Sequence, residues 1–557
     1  MSNMVKKWAK RLFWAALIIL LLQAGFTALL WTWVARPPDI PIPADVLQRR
    51  VETAGERRVL GDCWAWNTGG LRVMYLAGTP FEIGFANGRL TEDLMHNQEA
   101  ELIQLMNGSI PWAAGRLAIK VYATWFTRNL SDSIPAEYRE ELYGISKGCR
   151  DNNPGLGPYY HRLMNYHAAH DLSHLLMDSA LLSRCTAFGA WGGATADGHL
   201  LTGRNFDWEA ARSFEKDRVL AFFRPEKGLA FLSLSWGGMV GAVSGMNEAG
   251  ISVTVNGANG KPPARAGTPI SIVVRQVLQY ARNLDEAAAI VSNSTVFVSE
   301  HFLVGSKSDN RFIVIEKTPA MTAVREGSNS VIICANHFMT APLRDIPQNV
   351  EYLKEGTSAA RYDRMLELAL RAWGRITPKE TLAILRDRRL PGDFFPGNGH
   401  RGTINALIAT HSVIMDLTGG IFWAATPPHQ LGRFMAFRFE DFERRPHDLD
   451  FEADPMAGSG EYSRLELSRQ HLDRARKDLA SGELEQALAW AEKAEANNPG
   501  FYQNAWLTGR ILERLGRGGE AAKALQAAMQ ARPAFHSERM EIEALLKTLA
   551  RGDEVNP

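Results

Sequence analysis

The sequence predicts an α+β protein, with helices covering two sheets or one large sheet, and three observations carry that expectation. Amphipathic helical spacing dominates before Cys185, and short apolar runs typical of strands dominate after it. An Asp-Gly turn signal at Asp197-Gly198 joins the first two of those runs into a hairpin. The 557 residues are 46% apolar and 22% charged, which supports packed cores and excludes wholesale disorder. At about 150 residues per domain, that length corresponds to roughly three or four units. Lys and Arg total 62 against 61 Asp and Glu, so the basic balance of a bulk nucleic-acid binder is missing.

Lys6, Lys7, Lys10 and Arg11, in a basic segment at 1–11, precede an uncharged run over 12–35. As a helix this run would extend about 36 Å, enough to cross a bilayer. A cleaved signal peptide is the alternative. The run is longer than an h-region, Trp31 and Trp33 sit where an interfacial belt would be, and no small-x-small site follows them. Four basic residues ahead of the run and only Arg36 just after it put the N-terminus in the cytoplasm. The rest would then lie outside, in the periplasm if the cell is bacterial. Residues 36–59 open with Arg-Pro-Pro-Asp-Ile-Pro-Ile-Pro and read as a stiff linker to a tethered ectodomain.

The segment 60–184 reads as helical, with amphipathic stretches at 92–106 and 135–147. From 185 to 446, strand-like runs fall at 185–190, 200–205, 219–223, 229–234, 251–255, 312–316 and 331–334, with helices at 270–281 and 359–372. The four cysteines, Cys63, Cys149, Cys185 and Cys334, form no CxxC pair, which argues against a cysteine zinc site and a disulfide scaffold. Cys63 and Cys149 are candidates for a disulfide outside the cytoplasm, with no spacing rule to fix the pairing. Cys334 follows an apolar strand and reads as a buried thiol. His337 and His411 read as hydrogen-bonding core residues, since no second ligand stands at metal spacing; no metal or cofactor is expected. Trp64, Trp66, Trp112 and Trp125 suit either an acyl pocket or core packing, the latter being the commoner use.

Cys185 opens the first strand of the hairpin, and Gly203-Arg204-Asn205-Phe206-Asp207 ends the second, so Arg204 and Asp207 return beside Cys185. A guanidinium favours a neighbouring thiolate, and an aspartate can orient an amine base. An inert core thiol beside a structural Arg–Asp pair fits the same spacing.

Six blocks in order go further. Cys185-Thr186-Ala187-Phe188 with Gly203-Arg204-Asn205-Phe206-Asp207 resembles the opening of N-terminal-nucleophile amide hydrolases of the choloylglycine hydrolase superfamily. More closely, the chain resembles the autoproteolytic cysteine family of acyl-CoA:6-aminopenicillanate acyltransferases. Gly78-Thr79-Pro80-Phe81-Glu82-Ile83-Gly84 and Glu141-Leu142-Tyr143-Gly144-Ile145-Ser146-Lys147-Gly148 are similar to blocks of that family's propeptide. Gly245-Met246-Asn247-Glu248-Ala249-Gly250 leading to Asn256, Ala335-Asn336-His337-Phe338, and Ser358-Ala359-Ala360-Arg361-Tyr362-Asp363-Arg364 complete the set, which spans roughly residues 70 to 430. Two positions depart from the pattern: Arg184 replaces a small or acidic residue, and Asn87 stands where the family favours His.

The resemblance implies a four-layer αββα sandwich and self-cleavage between Arg184 and Cys185. It implies Cys185 as nucleophile, its freed α-amine as base, Asp207 holding that amine and Arg204 favouring the thiolate. Asn256 and Asn336 would donate to the oxyanion, and Arg361 would support the edge of the site. The activity implied is hydrolysis of a linear carbon–nitrogen bond in a small N-acyl substrate. Acyl transfer to an amine is the first alternative; an inactive scaffold that recruits partners is the second.

After a linker at 447–464, residues 465–550 turn helical and repeat at an offset of 34: Gly482 and Gly516, Ala487 and Ala521, Ala494 and Ala528, Pro499 and Pro533. The period resembles tetratricopeptide repeats, which implies a protein partner; a generic helical bundle is the alternative. Two copies and a final helix are short for an independent solenoid, so the unit is expected to lean on the main domain.

Overall fold

The computed structural model describes residues 3–34, 36–169, 171–172, 185–208, 212–261 and 266–555. Four strands precede Cys185: β1 (Glu52–Ala54), β2 (Arg57–Leu60), β3 (Cys63–Thr68) and β4 (Leu71–Gly78). Cys185 is followed by β5 (Thr186–Gly192), β6 (Gly198–Asp207), β7 (Arg218–Pro225), β8 (Phe231–Trp236), β9 (Ser244–Asn247) and β10 (Ile251–Ala258). The remaining strands are β11 (Ser299–Ser306), β12 (Arg311–Lys317), β13 (Thr322–Glu326), β14 (Val331–Cys334), β15 (Ala409–Asp416), β16 (Ile421–Ala425) and β17 (Phe434–Arg438). The segment ahead of Cys185 is therefore not only helical, and β1 and β2 begin inside the stretch expected as linker. The missed signal is Gly69-Gly70, with φ of +55° and +85°, which turns β3 into β4.

Eleven strands form one sheet in the order β1-β2-β3-β4-β7-β8-β9-β10-β11-β12-β13, and six form a second in the order β14-β5-β6-β15-β16-β17. Alternation along the strands sorts the cores. Leu220 and Phe222 of β7 meet Val413 and Met415 of β15 between the sheets. Val219, Ala221 and Phe223 face outward onto the helices Pro80–Leu90, Ala136–Gly148 and Ile270–Tyr280. On the far side, Ile414 and Trp423 meet Met365 and Leu385 of the helices Ser358–Arg371 and Pro378–Leu385. Away from the exposed edge strands β1 and β13, both sheets are buried on both faces, and the layers stack α, β, β, α as the resemblance implied.

The two blocks expected in the propeptide prove to be each other's packing surfaces. A Cβ on Gly84 would fall on the carbonyl oxygen of Glu141, one on Gly144 on that of Phe81, and one on Gly148 on that of Phe85. Only glycine lets the Pro80–Leu90 and Ala136–Gly148 helices come this close. A fully buried ion pair, Arg275 Nη2 to Glu141 Oε2 at 3.0 Å, ties the same crossing to the Ile270–Tyr280 helix.

At the N-terminus, a helix runs over Asn3–Val34. Among the described residues no helix is long and apolar enough to cross a membrane, so the expected span is not shown. Several side chains of the 12–35 run lie outside those described. At the other end, five helices follow one another: Glu461–Ser481, Leu484–Asn497, Tyr502–Arg514, Gly518–Gln530 and His536–Val555. Gly482 and Gly516, one period apart, end the first and third with φ of +87° and +75°. The unit leans on the loop before β15. Asn398 N donates to Asn498 Oδ1 (3.2 Å), Asn498 Nδ2 donates back to the Asn398 carbonyl (2.9 Å), and the His400 ring reaches the Arg532 carbonyl (2.8 Å).

Cys63 and Cys149 are free thiols, so the candidate disulfide is not formed. Their surroundings differ: Cys63 Sγ lies against the Ala77 backbone (3.4 Å), and Cys149 Sγ accepts from the Tyr159 hydroxyl (3.0 Å).

Candidate active site

The β5–β6 hairpin closes as its turn residues dictate: Gly198 takes φ of +79°, and Asp197 Oδ1 accepts from the His199 amide. The register pairs Thr186 with Asn205 and Ala187 with Arg204, which leaves Cys185 at the open end beside Phe206. Cys185 is fully buried, and Arg204 Nη2 donates to its Sγ at 3.6 Å. Arg204 is itself fully buried and held by acceptors: the Val243 carbonyl (3.0 Å), Ser244 Oγ (2.7 Å) and the Val255 carbonyl. Its guanidinium stands 4.3 Å from the centre of the Phe206 ring, which stacks in turn on His411. Burial pushes the Cys185 thiol up from its ordinary value, and the nearby Arg204 charge and the Asp207 backbone hydrogen bond pull it back. The Asp207 side chain ends β6 fully buried beside this thiol.

Arg361 works from the other side. Its Nη1 donates to the Cys185 carbonyl (2.7 Å) and to Thr186 Oγ1 (2.6 Å), and its Nη2 donates to Asn336 Oδ1 (2.7 Å). Asn336 Nδ2 donates to the Gly257 carbonyl (2.8 Å), which leaves one of its two N–H groups for another acceptor. Asn256 Nδ2 donates to the carbonyls of Cys334 (2.8 Å) and Ala335 (3.2 Å), which uses both of its N–H groups. The two asparagines thus stitch β10 to the chain after β14. Cys185, Arg204, Asp207, Asn256, Asn336 and Arg361 all gather at this junction; Arg184 lies outside the described residues, as does all of 173–184.

Ser244, Glu300 and the Val243 and Val255 carbonyls carried no signal in the sequence. Ser244 and the Val243 and Val255 carbonyls position Arg204, and Ser358 Oγ accepts from the Asn336 amide (2.8 Å). Glu300 is fully buried on β11, its carboxyl held well above the ordinary range by burial and by Asp171, with Arg204 opposing. His411 lies in the core with Nε2 3.1 Å from Ser244 Oγ, and burial holds its pKa far below the ordinary value. His337 accepts or donates to Ser358 Oγ at 2.8 Å, and Cys334 is buried.

Next to Arg204 lies a cavity of about 80 Å³, lined on its apolar side by Met95, Leu102, Phe206, Trp208, Trp236 and Val243; Cys185 and Arg204 themselves do not line it. Gln98, Glu99, His167 and Asp171 give it one polar end. None of Trp64, Trp66, Trp112 or Trp125 lines it. Trp64 and Trp66 stack on each other at 5.0 Å, while Trp112 and Trp125 are exposed.

Residues 194–408 match the family described as acyl-coenzyme A:6-aminopenicillanic acid acyl-transferase. The resemblance read from the six blocks is borne out. The acyl-transferase match begins downstream of Cys185 and takes in Arg204, Asp207, Asn256, Asn336 and Arg361. Among curated proteins, an uncharacterized protein of Archaeoglobus fulgidus is 24% identical over 390 residues, 64% of this chain and 63% of that one. Protein dcd1B of Dictyostelium discoideum is 23% identical over 44% of this chain and 50% of its own length. The chain thus spans about half to two thirds of the length of these two relatives. Among solved structures, a Caenorhabditis elegans N-acylethanolamine-hydrolyzing acid amidase ortholog aligns with 16% identity, 42% of this chain, 93% of that chain and a TM-score of 0.32. Penicillin V acylase from Agrobacterium tumefaciens aligns with 16% identity, 46% of this chain, 86% of that chain and a TM-score of 0.30.

Proposed function

We propose that this chain is a cysteine N-terminal-nucleophile amidohydrolase that cuts itself before Cys185 and then hydrolyses the linear amide of a small N-acyl substrate. The observation that carries the reading is Arg204 Nη2 on Cys185 Sγ at 3.6 Å, with Phe206, Val243 and Val255, which pack on Arg204, lining a mostly apolar cavity next to it. In the uncut chain, Sγ attacks the carbonyl of residue 184 and the acyl group moves from nitrogen to sulfur. Water then opens the thioester, leaving a carboxylate on residue 184 and a free amine on Cys185. That amine, with a pKa near about 8, takes the thiol proton at neutral pH, and Asp207 orients it. The thiolate adds to the substrate carbonyl, the amine of the substrate leaves with a proton, and water releases the acid from the acyl-enzyme. Asn336, with an N–H to spare, is the better-placed oxyanion donor, a contribution of about 3 kcal/mol. Asn256 holds the backbone around it. The acyl group takes the apolar side of the cavity.

Acyl transfer to an amine is the second reading, supported by the description of the matching family. Membrane attachment belongs to the same proposal. It is supported by the exposed apolar side chains of the N-terminal helix, including Phe13, Ile19, Leu21, Leu22 and Leu29. A partner-binding role for the C-terminal helices rests on their 34-residue period alone.

Denaturing electrophoresis of purified wild type should give two fragments, the larger beginning at Cys185, and Cys185→Ala should run intact. A panel of N-acyl amino acids, acyl homoserine lactones, bile-salt and penicillin analogues should reveal amidase activity that thiol reagents abolish. Active wild type with residues 184 and 185 still joined would overturn the mechanism.

A further inference from the structure

The helix Glu92–Ser109 carries Glu92 and His96 one turn apart, on the face that meets Cys149 at the end of the Ala136–Gly148 helix. The carboxylate oxygen, the ring nitrogen and the sulfur lie within 4.8 Å of one another, and Sγ is 3.7 Å from His96 Nε2. Zinc–sulfur bonds of about 2.3 Å and zinc–nitrogen bonds of about 2.0–2.1 Å at a tetrahedral angle put those two atoms about 3.6 Å apart. We propose that Glu92, His96 and Cys149 form a zinc site, with a solvent molecule as the fourth ligand.

The donor set has the mixed hard and soft character that zinc takes. Access is open, because Glu92 and His96 are half-buried while Cys149 is buried behind them. The Tyr159 hydroxyl donates to Sγ at 3.0 Å, and the nearby Glu99 and Asp151 carboxylates are both ion-paired to Arg162, which leaves Glu92 as the carboxylate for the metal. Binding forms the zinc–sulfur bond, and the thiol proton leaves to solvent. His96 gives up its contact with the Arg150 carbonyl (2.8 Å). Glu92 keeps one oxygen on the Arg150 amide (3.1 Å) and turns the other to the metal. The metal would pin the start of a helix whose Met95, Gln98, Glu99 and Leu102 form one wall of the cavity. The site requires Cys149 unpaired, as it is found.

Cobalt titration of full-length Cys185→Ala, which lacks the nucleophilic thiol, tests this. One equivalent of cobalt should give a thiolate charge-transfer band in the near ultraviolet and ligand-field bands in the visible, all displaced by zinc. Cys149→Ser should lose the charge-transfer band, and Glu92→Gln and His96→Gln should bind at least about tenfold more weakly. In wild type, zinc should slow alkylation of Cys149 by iodoacetamide, read at that residue by peptide mass spectrometry; this measurement stands even if Cys149→Ser fails to fold. No cobalt band, a band that survives in folded Cys149→Ser, or equal alkylation of Cys149 with and without zinc would each overturn the site.

Discussion

Arg361 grips Asn336 through a 2.7 Å hydrogen bond to its side-chain oxygen while holding the Cys185 carbonyl at the same distance. One buried guanidinium thereby fixes both the Asn336 amide and the backbone that carries Cys185, the groups proposed as oxyanion donor and nucleophile.

The two asparagines should therefore fail differently. Asn336→Ala is expected to lower kcat by about 100- to 1000-fold, as for loss of an oxyanion donor, and to cost about 1–3 kcal/mol of stability by leaving the Gly257 carbonyl and Arg361 Nη2 without their partner. Asn256→Ala leaves the buried carbonyls of Cys334 and Ala335 without their donor and should cost about 1–3 kcal/mol of stability. Single-turnover kinetics and urea unfolding on both variants separate the roles.

Arg204 is the charge that offsets burial of the Cys185 thiol. In Arg204→Gln the thiol pKa should rise, so the thiolate fraction at neutral pH falls and the rising limb of the activity profile moves to higher pH. For every pH unit that the limb moves, the rate near pH 7 should drop by about tenfold. A profile that keeps its midpoint would assign Arg204 a purely structural part.

The glycine crossing gives a stability test away from the chemistry. Gly144→Ala must push its methyl group into the Phe81 carbonyl and should cost about 1–3 kcal/mol. Gly108, inside a helix with open space around it, is the control: Gly108→Ala should stabilise by about 0.5–1 kcal/mol. Urea midpoints of the two variants should move in opposite directions.

His400, buried where the C-terminal helices meet the αββα body, has its pKa pushed down to about 4 from an ordinary 6.5 because burial disfavours the charged ring. The unfolded chain then binds more protons than the folded one across that window. Stability is present above pH 6.5 and is lost as pH falls toward 4, by about 1.4 kcal/mol per pH unit from this group. Acidification should expose the 447–464 linker to protease, and His400→Gln should blunt the effect.

The central strands were legible in two ways: β7 reads as a short unbroken apolar run, Val219 to Phe223, and β10 as Ile251, Val253 and Val255 alternating with Ser252 and Thr254. Cys185, Arg204 and Asp207 were legible through one turn: Asp197-Gly198 sets the hairpin, and the hairpin sets who meets at its open end. The strands β3 and β4 were not, because Trp64, Trp66 and Tyr75 alternate too weakly to outweigh the helices that follow. Ser244 and Glu300 were invisible for a different reason. Each reaches the site across the gap between two sheets, and nothing local in their own segments marks that approach.

Strand β4, from ahead of Cys185, pairs in parallel with β7 in the interior of the eleven-stranded sheet. A break at 184–185 would leave both pieces woven together, so the native molecule would keep its size and shape. Melting would behave differently before and after the break: the uncut form can rejoin β4 to β7 along one chain, while separated pieces must find each other by diffusion. Reversibility on cooling is thus itself a readout of processing, and it should disappear at the moment the nucleophile is born.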